Sequence, residues 1–307
     1  MTDKKQAPRQ DELLTKETWR RVVTNCMVPE GRKVDLNRDY DPAQKPQEYD
    51  KESSAPVLSQ VIDEMIVLQD RFYAESSRAL LIVFQATDAA GKDGTIKHVM
   101  SGLNPEGVEV HSFKAPSHLE AAHDFLWRHQ VALPELGRIA IFNRSHYENV
   151  LVTKVHPELI WPPADQHVNR EKLWERRYHA INEWERHLVD SGTAIVKIFL
   201  NLSKDVQRER FLQRIDEPEK NWKFSPADLH ERERWDEYRG AFSDMLSATS
   251  TKWAPWYVVP ADHKWATRLI TSAIILHALE VIDPHYPQVD AQTRAELMAA
   301  REHLDGE

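Results

Sequence analysis

One stretch limits the possible folds more than any other. The apolar run Ala79-Leu-Leu-Ile-Val-Phe84 leads into the small and polar loop Gln85-Ala-Thr-Asp-Ala-Ala-Gly-Lys-Asp-Gly-Thr95, and then into a helical pattern over 94–102. A short continuous apolar run reads as a strand buried on both faces. A strand feeding a Gly-Lys loop and a helix fits the phosphate-binding pattern G-x-x-x-x-G-K-[ST] in context. Ala86 stands in for its first Gly and Asp93 for its Ser/Thr. In such a loop the backbone amides of Ala89, Ala90, Gly91, Gly94 and Thr95 offer donors to phosphate at a helix N-terminus, and Lys92 adds a charge. Gly91 and Gly94 are expected to supply backbone conformations that side chains would block.

Four further strand patterns follow: Val108 to Phe113, Arg138 to Phe142, Thr193 to Leu200 and Tyr257 to Val259. Between them lie helical patterns over 117–132, 169–190, 203–215, 226–247 and 262–282, and another over 56–76 precedes the first strand, with Val57, Val61, Met65, Leu68 and Phe72 at helical spacing. This alternation predicts an α/β fold with a parallel sheet covered on both faces. Residues 1–55 read as a polar, extended arm with one short helix around 11–23. The domain follows at 56–285, with a lid at about 201–247, and residues 286–307 form a helical tail. Met1 to Gln10 lacks a signal-peptide core, no stretch reads as a membrane span, and Cys26 is the lone cysteine. The expectation is a cytoplasmic protein. A net charge of −9 disfavours a general nucleic-acid binder, though not a phosphate-rich substrate met by locally gathered basic residues.

Two acids in a phosphate loop need a reason, because Asp88 and Asp93 repel phosphate at close range. A divalent cation supplies one, since Mg²⁺ commonly takes one or two carboxylates plus phosphate oxygens. Asp88 is therefore read as a magnesium ligand and Asp93 as an acid facing the helix dipole beside the bound phosphates. The third strand ends in Asn143-Arg-Ser-His-Tyr-Glu148, where ligands of open α/β sheets bind. Asn143 occupies the place expected of an acid. Arg144 can clamp a phosphoryl group, and Glu148 can hold a metal or order water. His146 reads as a hydrogen-bonded structural residue, since phosphoryl transfer needs no covalent step. Between 201 and 247, Arg210 and Arg214 share one helical face, and Arg208, Lys220 and Lys223 are nearby. Acids are equally frequent there, so charge pattern alone suits a salt-bridged helix pair as well as a polyanion channel. Trp161, Trp174, Trp184, Trp222, Trp235, Trp253 and Trp256 are read as packing residues, with no base-stacking residue assigned.

These motifs together resemble the family-2 polyphosphate kinases. The resemblance rests on Phe84-Gln85, Asp88 to Lys97, His98 to Pro105, Phe113 to Ser117, His123 to Arg128, Phe142 to Glu148, Asn221 to Ser225 and Ala254 to Tyr257, in order through about residues 55–285. It implies a three-layer α/β/α P-loop kinase fold with a helical lid, often assembled into dimers or tetramers. It also implies reversible, Mg²⁺-dependent (or Mn²⁺-dependent) transfer from inorganic polyphosphate to a nucleotide. Glu148 makes the chain most similar to class III members acting on AMP and ADP, while Asn149 departs from the Asp common after that Glu. The resemblance places Asp88, Lys92, Arg144 and Glu148 in catalysis, Asp88 and Glu148 on the metal, and Lys114, Arg208, Arg210, Arg214, Lys220 and Lys223 along polyphosphate. Two other readings share the loop: a nucleoside-monophosphate kinase with a nucleoside triphosphate donor, and a non-catalytic nucleotide-binding regulator.

Overall fold

A computed structural model of the chain describes residues 16–47, 49–160 and 172–307. Five strands, β1 (Ala79–Ala86), β2 (Val108–Ser112), β3 (Ile139–Asn143), β4 (Thr193–Asn201) and β5 (Trp256–Pro260), form one sheet in the order β2-β3-β1-β4-β5. Every pairing is parallel. The central strand is β1, and its residues Leu80 to Phe84 are fully buried. Its side chains alternate between two cores: Leu80, Ile82 and Phe84 enter one, Leu81 and Val83 the other. This explains why the run is continuously apolar rather than alternating, as each face meets a helical layer.

The helices, in chain order, are α1 (Lys16–Cys26), α2 (Ser54–Glu75), α3 (Lys92–Val99), α4 (His118–Ala121), α5 (Trp127–Gln130), α6 (Val152–Val155), α7 (Leu173–Asp190), α8 (Lys204–Asp216), α9 (Ala227–Glu233), α10 (Trp235–Thr249), α11 (Lys264–Ile282) and α12 (Ala291–Asp305). One face of the sheet carries α1, α2, α3 and α11; the other carries α7 and α10. The expected α/β/α layering with a parallel core sheet is therefore present. By length and composition α11 could cross a bilayer, with a mean hydropathy of 1.4, but 67% of that window is buried within the fold.

Three expectations need correction. The pattern over 117–132 is not one helix but two single turns, α4 and α5. Ser117 and Glu120 form a capping box that starts the first, and Asp124 accepts from the Leu126 amide to start a new turn instead of prolonging the old one. The pattern over 226–247 breaks at Arg234 into α9 and α10. The arm is not a free extended segment over its described part, since Trp19, Val22, Val23, Cys26, Val28, Val34, Leu36 and Tyr49 are buried. The Val28 amide donates to the Trp256 carbonyl at 2.8 Å, and Met27 bridges Tyr257 antiparallel, so the arm covers the β5 edge. An exposed edge would otherwise present unpaired backbone groups. The expected helix around 11–23 begins outside the described residues and runs on to Cys26. The pattern over 169–190 likewise begins outside them.

Candidate active site

The loops after β1 and β3 meet at the carboxyl end of the sheet, where the chain order reverses sides, as ligand sites in open α/β sheets do. They share a cavity of about 470 Å³. Its lining combines the charged residues Asp88, Lys92, Arg144, Glu148, Asp228 and Glu231 with the apolar and aromatic residues Leu151, Val152, Trp235, Tyr238 and Phe242.

The loop after β1 is tightly held. Gly91, at φ +94°, caps α3, and the Thr95 amide donates to its carbonyl at 2.9 Å. Ala89 sits at φ +60°, a left-handed conformation that costs a non-glycine residue about 1–2 kcal/mol. Gly94 does not need to be glycine for its own backbone: it lies inside α3, with open space where a Cβ would stand. Asp93 is in the first turn of α3 and accepts from Asn143 Nδ2 at 2.8 Å, so the acid at the helix start and the amide at the end of β3 lock the two loops together.

Lys92 is half-buried at the start of α3. Burial pushes its pKa down and the Arg144 guanidinium pushes it further, while Glu148, Asp93 and Asp88 pull it back. Arg144 is exposed to the cavity at φ +62°, and its amide donates to the Phe84 carbonyl at 3.2 Å. Glu148 follows on a short 3₁₀ turn, its amide bonded to the Ser145 carbonyl at 3.0 Å. His146 is fully buried and bonded to Glu185, the structural role read for it.

The basic residues of the lid divide into separate tasks. The Arg210 guanidinium donates to the carbonyls of Ala89 (2.9 Å), Ala90 (2.9 Å), Ala261 (2.7 Å) and Asp262 (3.2 Å). It therefore ties the phosphate loop to the segment after β5, and it also lines a second cavity shared with Lys45, Lys51, Lys264 and Arg268. Arg214 reaches the site, 3.6 Å from both Asp88 and Asp228. Lys220 pairs with Glu217, and Lys223 sits over the exposed Trp222 ring. Arg208 and Lys114 are exposed, and neither lines the cavity. Trp235 lines it, whereas Trp256 is fully buried in the core; Trp161 lies outside the described residues.

Sequence reasoning missed three site residues. Burial and the Asp88 carboxylate push the Asp228 carboxyl up, against the pull of Arg214, so two acids share one corner. Arg128 stacks over Phe113 and donates to the Lys114 carbonyl at 2.8 Å; burial lowers its pKa, against the pull of Glu120 and Glu148. Glu231 accepts from Tyr238 at 2.6 Å and pairs with His156 at 3.0 Å, fastening α9 over the cavity. Arg128 ends one of the motifs that carry the resemblance, whereas Asp228 and Glu231 acquire their neighbours only through the tertiary fold.

His156 makes that fastening depend on pH. Burial works against its charged ring, but the Glu231 and Glu158 carboxylates outweigh it and the pKa is raised. A raised histidine pKa stabilises the fold fully below the unfolded value of about 6.5, and that contribution is lost as pH rises through the folded value. The melting temperature should therefore decline from about pH 6.5 upward, and His156→Gln should flatten that part of the curve. An unaltered pH profile in the variant would show that the latch does not exist.

Asp88 and Glu148 were expected to hold a metal. Among the described residues no three His, Cys, Asp or Glu side chains converge on one point. An ion here would take carboxylates from one or two residues and complete its shell with phosphate oxygens and water, a pattern that suits Mg²⁺. Asp88 and Glu148 both line the cavity, and Asp88 shares the Arg214 guanidinium with Asp228, each at 3.6 Å.

A P-loop strand-turn-helix, Lys92 at the start of its helix and an arginine-bearing loop from the neighbouring strand define a phosphotransferase of the P-loop kinase type. Residues 48–287 match the model of the family described as Polyphosphate kinase 2 (PPK2), and the chain belongs to that family. It is 48% identical over 282 residues to an ADP-polyphosphate phosphotransferase of Rhodopseudomonas palustris, covering 90% of this chain and 96% of that one. It is 42% identical to an AMP/ADP-polyphosphate phosphotransferase of Meiothermus ruber, covering 85% and 93%. Its fold is similar to the crystal structure of polyphosphate kinase 2 from Arthrobacter aurescens TC1, with a TM-score of 0.81 and 38% identity over 90% of this chain and 95% of that one.

Proposed function

We propose that the protein transfers the terminal phosphoryl group of inorganic polyphosphate to AMP or ADP. The observation that carries this reading is one cavity lined both by Lys92, Arg144 and Asp88 and by Trp235, Tyr238 and Phe242. A nucleoside packs on the aromatic side chains and its phosphate meets the cations. An acceptor phosphate oxygen attacks the terminal phosphorus of polyphosphate, and the bridging P–O bond breaks to leave a chain one unit shorter. The acceptor is already an anion at neutral pH, so positioning and charge neutralisation do most of the work. Lys92 and Arg144 hold the transferring group, and Arg210 keeps the loop amides in place. When bound by Asp88 and its neighbouring acid, Mg²⁺ neutralises phosphate charge. The test is transfer to AMP, ADP, GMP and GDP with polyphosphate as sole donor, in Mg²⁺ and after chelation. Transfer only from a nucleoside triphosphate would favour an ordinary nucleotide kinase.

Glu148 governs the choice between acceptors in this reading. AMP lacks a β-phosphate, so its attacking oxygen sits one phosphate deeper, and a carboxylate beside Arg144 can hold a metal or water there better than an amide can. Glu148→Asn should lower kcat/KM for AMP by on the order of 10-fold more than for ADP, about 1.4 kcal/mol of selectivity. Equal losses for both acceptors, or a lowered melting temperature that explains both, would remove Glu148 from that role.

A further inference from the structure

Beneath the Arg144–Glu148 loop lies a charged pair that the transfer step does not touch. Lys197 of β4 and Glu185 of α7 are both fully buried and 2.6 Å apart. Lys197 faces the α7 and α10 side of the sheet, where it also donates to the Thr249 carbonyl at 2.6 Å and the Tyr147 hydroxyl at 3.0 Å. Glu185 accepts from the Tyr147 hydroxyl at 2.7 Å and bonds His146 Nε2 at 3.3 Å. The Lys197 ammonium lies 5.5 Å from the Tyr147 ring and 5.3 Å from the Trp256 ring.

Two ions taken out of water gain little net stability over a well-packed apolar pair of similar volume, so stability alone does not account for this one. What the pair does hold is specific. His146 and Tyr147 are the inward-facing residues of the 3₁₀ turn His146–Asn149, and both are bonded to Glu185. Ser145, which caps the turn, accepts from Gln85 Nε2 of β1 at 3.0 Å. The turn is therefore pinned to β1, β4 and α7 at three successive residues. On either side of the pinned residues stand Arg144, in its left-handed conformation, and Glu148, both lining the cavity.

We propose that the Glu185–Lys197 pair is a positioning device for phosphoryl transfer, fixing through Tyr147 and His146 the turn that presents Arg144 and Glu148. This inference rests on the transfer reading above for its kinetic consequence but not for its structural one. Displacing a catalytic group by about 1 Å costs on the order of 10²-fold in rate, so a rigid mount beneath Arg144 has a direct effect on turnover. A charged network suits this task because its hydrogen bonds have direction, whereas apolar packing allows the turn to slide.

The test uses the full chain with the paired replacement Glu185→Leu/Lys197→Met, and separately Tyr147→Phe, which keeps the ring and removes only the bridging hydroxyl. Melting temperature, kcat and KM with polyphosphate and AMP, and hydrogen exchange of the amides over 144–150 are measured. The expected result is a folded protein with a lowered melting temperature, because His146 Nε2, the Tyr147 hydroxyl and the Thr249 carbonyl lose buried partners, with exchange over 144–150 faster by about tenfold, β3 and α7 unchanged, and kcat reduced on the order of 10²-fold with KM for polyphosphate altered much less. Tyr147→Phe should show a smaller loss in the same direction. Adding Arg144→Lys to the paired variant should cost less than Arg144→Lys costs the natural chain, because both act on one clamp. Wild-type kcat in a folded paired variant, independent multiplication of the two losses, or unchanged exchange over the turn would each overturn the proposal. Absent transfer in the natural chain would instead refute the transfer reading, and exchange over 144–150 would still decide the positioning role.

Discussion

Replacing Lys92 with Ala is expected to reduce turnover on the order of 10³-fold or more while leaving the protein as stable as before, or slightly more stable. A loss of that size is about 4 kcal/mol of transition-state stabilisation. The stability half of the expectation comes from the position of Lys92. It stands in the first turn of α3, at the positive end of the helix dipole, half-buried and beside Arg144, and burial and Arg144 together lower its pKa. A cation there is unfavourable by about 0.3–1 kcal/mol from the dipole alone. Glu148, Asp93 and Asp88 offset part of that, so the net gain on removal is small. A lysine retained for structure would behave in the opposite way, with stability and activity falling together. Parallel measurement of melting temperature and of polyphosphate-driven AMP phosphorylation separates the two cases, and near-normal turnover in the folded variant would remove the phosphate loop from the mechanism.

The legible parts of this fold were those decided by local pattern. The run Ala79 to Phe84 reads as a strand covered on both faces and Gly91-Lys92 after it as a loop entering a helix, and both are so in the structure. Residues 117–132 misled because apolar residues at helical spacing outvoted Ser117 and Asp124, whose side chains start new turns. The arm was read as polar and extended, yet the backbone pairing of Met27 and Val28 with β5 seats its described part on the sheet. At the site, Asp88, Lys92, Arg144 and Glu148 were identified through the loops that carry them. Arg210 was placed along polyphosphate by resemblance alone, and its four carbonyl partners come from two distant loops that no spacing rule connects. Lys197 did leave a trace: it is the single charge in the otherwise apolar run Ala194-Ile-Val-Lys-Ile-Phe-Leu200. A lone charge in a central strand must find a buried partner or a function, and Glu185, a helix away, could be recognised as that partner only in three dimensions.

Arg144 carries the second large expectation, because its backbone and its side chain make opposite demands. At φ +62° an arginine is strained by about 1–2 kcal/mol, a conformation that glycine adopts freely. Glycine also loses about 0.5–1 kcal/mol more through the entropy of the unfolded chain. Arg144→Gly should therefore be as stable as Arg144→Ala or up to about 1 kcal/mol more stable, while both lose transfer by on the order of 10²–10³-fold. Arg144→Lys keeps the charge but loses the planar fork that holds two phosphate oxygens at once. It should recover part of the rate and leave kcat below that of the natural chain by about tenfold or more. The backbone is held in that conformation by the bond from the Arg144 amide to the Phe84 carbonyl at the end of β1 and by the anchored Ser145 and Tyr147 beyond it. A strained residue whose relief by glycine preserves the fold and destroys the activity is one kept for its side chain. If Arg144→Gly and Arg144→Ala both kept near-normal transfer, the guanidinium would have no part in the reaction, and the left-handed turn would be serving the fold alone.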